Sequence, residues 1–136
     1  MRPNMQTRWR RQRGQSLLET ALMIVVLFMV VFWIFEVGWL MYTYSVLADA
    51  VNEGVRYAVV HSGGDPAGTQ AKVKTFAATS LHNVSAISPS VTFPDGSAAP
   101  PNRVRVTLTY TYIPYLPKFI TAPTMKTYAE GRMVVQ

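Results

Sequence analysis

Fifteen consecutive apolar residues, Ala21 to Phe35, constrain this chain more than any other feature. A helix rises about 1.5 Å per residue, so roughly 20 residues cross the hydrocarbon core of a bilayer. Leu17 to Glu36 has that length. A helix buried in a soluble core keeps a polar face, and this run has none. We read it as a membrane helix. Ahead of it lies a basic leader carrying Arg2, Arg8, Arg10, Arg11 and Arg13 and no acidic residue. Arginines just before an apolar span hold the amino terminus in the cytoplasm and send the rest outward. A secretory signal has its small-residue cleavage site after the apolar run. Here the leader's one glycine, Gly14, comes before it, and one carboxylate, Glu19, stands at the mouth of the run.

The stretch Arg13-Gly14-Gln15-Ser16-Leu17-Leu18-Glu19-Thr20 resembles the processing site of the type IV prepilin superfamily. There a membrane peptidase cuts after a glycine, and a glutamate is fifth in the mature chain. A cut after Gly14 makes Gln15 the first residue and Glu19 the fifth. Further on, Ala48 to Val60, with Glu36-Val37-Gly38 upstream, resembles the TadE-like pilin family of the Tad (tight adherence) system. The resemblance spans about Arg13 to Val60. It implies a pilin or pseudopilin, a structural subunit of a Tad or type IV-like pilus or of its assembly platform, serving adhesion, filament biogenesis or secretion. It implies as partners a prepilin peptidase acting at Gly14 and Gln15, other pilin subunits, and the inner-membrane assembly platform. The expected location is the inner membrane, crossed once with the amino terminus cytoplasmic, or an extracellular pilus after assembly. The competing reading is an uncleaved single-pass scaffold whose outer domain binds a secretion or pilus partner.

Glu19 needs a physical account, because a carboxylate at the edge of hydrocarbon costs a few kcal/mol unless paired. It can sit at interface level, where the dipole of a helix N-terminus favours negative charge. In the pilin reading, it neutralises the new amine of a neighbouring subunit's Gln15 and so fixes the axial stagger between helices. Leu17, Leu18, Leu22, Val25, Val26, Met29 and Val30 are then expected to pack against neighbouring helices, and Gly38 permits close approach or a bend. Glu36 is either a second intramembrane charge or the first residue outside; its distance from Leu17 favours the latter.

Beyond Glu36 the positions Val37, Met41, Tyr44, Ala48, Val51, Val55 and Ala58 recur every three or four residues, a seam of three heptads. Its distal half is expected to cover a small domain. Trp33, Trp39, Tyr42 and Tyr44 flank the outer membrane interface, where aromatic belts sit. Glu53 and Arg56 form an i, i+3 pair of little worth. One helix is expected from about Ser16 to Val60.

The organisation expected is therefore a leader over 1–14, a long helix over 15–60 with its transmembrane part at about 17–36, and a small extracytoplasmic α+β domain over 61–136. The glycines and proline of His61 to Pro66 end the long helix. Asp65 caps a second helix with Pro66 at its first position, running to about His82 with Val73, Phe76, Ala77 and Leu81 on one face. A short strand is expected around Val91 and Phe93. Arg103 to Tyr112 alternates as a half-buried strand, the connection Ile113 to Pro123 is a long loop, and Thr124 to Val135 is a last strand with Gly131 as a bulge. The fold class is α+β: a long helix, a second short helix and about three antiparallel strands packed on the long helix's distal half.

The formal charge of +6 does not point to nucleic acid. Without the leader, eight basic residues face seven acidic ones, so the mature chain is nearly neutral. With no cysteine there is neither a disulfide nor a thiolate metal site. His61 and His82 have no ligand neighbours at metal spacing. No Gly-x-Ser-x-Gly elbow and no phosphate loop is present, so no catalytic residue, cofactor, metal or small-molecule substrate is expected.

Overall fold

The computed structural model describes residues 5–81, 83–115 and 121–134, with the backbone alone at 5–13 and 62. It divides into two units that meet at Gly38 and Trp39.

Helix α1 spans Met5–Val60. No proline lies between Pro3 and Pro66 to interrupt its hydrogen-bond ladder. The helix begins well upstream of the expected Ser16. Glutamine and arginine are good helix formers, and a single interior glycine, Gly14, costs only about 1 kcal/mol, too little to end it. In the first unit the side chains from Leu17 to Phe35 are all exposed. The helix is long and apolar enough to cross a membrane.

In the second unit α1 becomes one wall of a core. Thr43, Leu47, Ala50, Val51, Val55 and Ala58 are buried, as is Gly54. The proximal half of the expected seam is therefore displaced: Val37, Met41 and Tyr44 are exposed. Burial here follows fit rather than apolarity. The Thr43 hydroxyl donates to the Trp39 carbonyl at 2.9 Å, which satisfies it inside the core. At Gly54 an added Cβ would collide with Val73, so the small residue sets how closely the next helix approaches.

The chain turns at Gly63 and Gly64, both with positive φ. Helix α2 spans Pro66–Ala78, with Pro66 in its first turn and Asp65 as its cap, accepting from the Gly68 N–H at 3.2 Å. Its buried face is Thr69, Val73 and Ala77, followed by Leu81. Phe76, expected there, is exposed; Thr69 takes the place because its hydroxyl donates to the Gly64 carbonyl at 2.9 Å. The helix ends sooner than expected, at Ala78, and His82 lies outside the described residues.

The sheet has the order β1-β2-β3, antiparallel throughout: β1 is Ile87–Thr92, β2 Arg103–Thr111 and β3 Thr124–Arg132. Pro89 is tolerated because β1 is an edge strand. Strand β2 buries Val104, Val106, Leu108 and Tyr110 and turns Arg103, Arg105, Thr107, Thr109 and Thr111 the other way, as its alternation requires. Gly131 is not a bulge, since it pairs in register with Val104. A Cβ there would come within 2.6 Å of Val55 and 2.7 Å of Val59, so glycine lets the strand pass close to α1. The last strand ends at Arg132, and Val135 lies outside the described residues, as do 116–120 of the Pro-rich connection. Leu47, Val51, Val73, Ile87, Val106, Leu108, Tyr112 and Met125 belong to one apolar core. The α+β class, the long and short helices and the three antiparallel strands on the long helix are thus as expected.

Candidate processing and assembly segment

Gly14, Gln15 and Glu19 lie on the exposed surface of α1. A Cβ at Gly14 would meet nothing within 4 Å, so among the described residues no contact requires glycine at that position. Gln15 and Glu19 are i, i+4 neighbours on one face. At about 100° per residue, Leu18, Leu22, Val25, Val26, Met29 and Val30 fall on that same face, about 140° wide. Leu17 and Gly38 fall off it. All of these side chains are exposed, and Gly38 has open space around it. The Thr20 hydroxyl donates to the Ser16 carbonyl at 2.9 Å, so this polar group next to Glu19 is satisfied within the helix. The helix thus presents a bare apolar stripe with a carboxylate at its head.

Glu36 behaves differently from Glu19. Only 4 % of it is exposed, although its neighbours Phe35 and Val37 are open. Hydropathy gives no warning of this burial.

Three other clusters lie in the second unit. Tyr57 donates to the Asp65 carboxylate at 3.1 Å, and that bond is the main cause raising the tyrosine's pKa. His61 stacks on Tyr57 at 3.8 Å and stands 2.8 Å from the Tyr57 carbonyl. On the open sheet face, Arg103 binds Asp95 through its side chain and its backbone N–H, both at 2.8 Å, and Arg103 and Arg105 both reach Glu130. The Arg103 side chain foremost, then its N–H, holds the Asp95 carboxyl down to about 2. Sequence alternation points to the wet face but not to this network, whose members join across a turn and between strands. The third cluster is aromatic. Trp39 meets Tyr42 at 5.3 Å and, edge-on, Tyr115 at 5.9 Å. Glu53 and Arg56 pair at 4.0 Å in the open, as expected.

Among the described residues, no three histidine, cysteine, aspartate or glutamate side chains gather where a metal could be held. The arrangement offers surfaces.

A family model described as TadE-like protein matches residues 14–56, the segment that holds Gly14, Glu19 and the apolar stripe. No curated protein and no solved structure matches the chain.

Proposed function

We propose, on the premise that residues 14–56 are TadE-like, that the protein is a structural subunit of a Tad pilus or of its assembly platform, processed after Gly14 by a prepilin peptidase. The observation that carries this reading is that the matched segment begins at Gly14 and includes Glu19 at its mature fifth position. The bare apolar helix behind it supports the same reading.

In this account the inner membrane holds a pool of subunits through about 17–36, amino terminus in the cytoplasm. Cleavage frees an amine on Gln15. Entry into a filament replaces lipid around Leu18, Leu22, Val25, Val26, Met29 and Val30 with neighbouring helices. Apolar packing alone hardly distinguishes one axial offset from another, since lipid and side chain are equally apolar. Pairing Glu19 with a neighbour's amine removes two buried charges at once, each worth a few kcal/mol, and so selects one offset. Leu17 and Gly38, off that face, are left for a second neighbour. The role is structural, with the peptidase, other pilin subunits and the platform as partners.

The test is a pair of substitutions in the native host. With Gly14→Leu, the full-length chain should accumulate in the membrane and vanish from sheared pili. With Glu19→Ala, the chain should still be cut but enter pili poorly. Normal size and normal pilus content in Gly14→Leu would instead favour an uncleaved scaffold.

A further inference from the structure

Asp95-Gly96 is the chain's one Asp-Gly or Asn-Gly pair. Such a pair is chemically fragile. The backbone nitrogen after an aspartate can attack the side-chain carbon Cγ. A Cγ–N bond forms, a Cγ–O bond breaks, and one water leaves with the amide proton, closing a succinimide ring. Water then opens the ring at either carbonyl. One opening restores aspartate; the other leaves isoaspartate, whose backbone runs through the side-chain carbons. Glycine hastens the closure, because no Cβ shields its nitrogen and its backbone turns freely.

The place of this pair favours the reaction. It lies in the turn between β1 and β2, with Asp95, Gly96 and Ser97 exposed to the water that would open the ring. Gly96 has a φ of 80°, and among the described residues nothing lies within 4 Å of where its Cβ would stand.

Both reacting groups are nevertheless engaged. The Gly96 N–H donates to the Phe93 carbonyl at 3.0 Å, which closes the turn. The Asp95 carboxylate is gripped on both oxygens. Its Oδ1 accepts from Arg103 Nη2 and its Oδ2 from the Arg103 backbone N–H, both at 2.8 Å. Arg103 Nε stands between them, at 3.3 and 3.2 Å. A forked, charge-assisted grip of this kind fixes the carboxylate's direction. Swinging Cγ onto the Gly96 nitrogen would break that grip and the turn bond together. Arg103 also holds the carboxyl down to about 2, so near neutral pH little of it is in the protonated form that loses water.

We propose that Asp95-Gly96 is an isoaspartate-forming site that the Arg103 clamp holds unreacted, so that isoaspartate at position 95 records time spent unfolded. The product also removes its own guard. An isoaspartate lengthens the backbone by one methylene and displaces the carboxylate, so the turn cannot regain its bonds to Arg103. Both restraints lie within the second unit and hold whether or not the chain is cut after Gly14.

The test uses the full-length protein in detergent micelles, incubated near neutral pH at body temperature, folded and in denaturing urea. Electron-transfer mass spectrometry separates isoaspartate at 95 from aspartate of equal mass. In wild type it should build up severalfold faster in urea than in the fold. Arg103→Gln should speed the folded reaction severalfold, with near-ultraviolet circular dichroism showing an intact domain. Arg103→Lys keeps the charge without the fork and should speed it less. Arg105→Gln also takes a partner from Glu130 but spares Asp95, and should match wild type. Equal rates in folded and unfolded wild type would overturn the proposal. So would Arg103 variants no faster than wild type, or an Arg105→Gln as fast as Arg103→Gln.

Discussion

Substituting Gly131 by alanine tests how β3 is seated on α1. The added Cβ would lie 2.6 Å from a Val55 methyl and 2.7 Å from a Val59 methyl. Carbon atoms rest at about 3.5–4.0 Å, so the intrusion is about 1 Å against each of two valines. Neither can step aside, because valine in a helix keeps one χ1 rotamer about 90% of the time. Strand and helix must therefore separate, at the usual overpacking cost of about 1–3 kcal/mol. Replacing glycine also restricts the unfolded chain, which returns about 0.4–1 kcal/mol. The net expectation is a loss of about 1–2 kcal/mol. With a urea slope of about 2 kcal/mol/M, the unfolding midpoint of the outer domain should fall by about 0.5–1 M. The assay is urea unfolding in detergent micelles, followed by near-ultraviolet circular dichroism. The same change in a Val59→Ala background should cost less, with a coupling of at least about 0.5 kcal/mol. Wild-type stability in Gly131→Ala, or the same loss in both backgrounds, would refute the steric reasoning.

Other consequences can be read the same way. Leu47→Ala removes a fully buried side chain from the centre of the core and should lower the outer domain's stability by about 2–5 kcal/mol in the same urea assay. Asp65→Ala removes the α2 cap and should cost about 1 kcal/mol; because Tyr57 loses its partner, its ultraviolet titration should move back toward the ordinary phenol range. Asp95 titrates at about 2 in the fold against an ordinary 3.8. A carboxyl whose folded pKa is depressed stabilises above its unfolded value and loses that contribution as pH falls through the folded one. Stability should therefore decline from about pH 4 toward pH 2 (a window set by those two values), and Asp95→Asn should flatten that part of the profile, measured as urea midpoint against pH.

What the sequence made legible was whatever repeats along one element. The apolar run, the Asp65–Pro66 helix start and the alternation of Arg103 to Thr111 are each written in consecutive residues. What it hid depends on contacts between elements. Gly131 looks like a strand defect until Val55 and Val59 are seen beside it. Thr43 and Thr69 look like surface residues until their hydroxyls are found bonded back to their own chain. The proximal half of the seam went astray for a related reason: Val37, Met41 and Tyr44 are apolar at heptad spacing, yet the core selects Thr43, Leu47 and Gly54 by size, while Val51, Val55 and Ala58 of the distal half are buried as expected. For the candidate segment, the spacing of Gly14, Gln15 and Glu19 was visible at once. The shared face they form with Leu22 and Val26 needed only helix geometry. Glu36's burial and the meeting of Trp39 with Tyr115 required the fold.

The measurement that bears most directly on the central claim is the intact mass and amino-terminal sequence of the protein taken from its native membrane. A chain beginning at Gln15 is the predicted result, and it would supply the amine that Glu19 is proposed to neutralise. A chain that keeps Arg2 to Arg13 has no such amine, and it would contradict the account of processing and assembly.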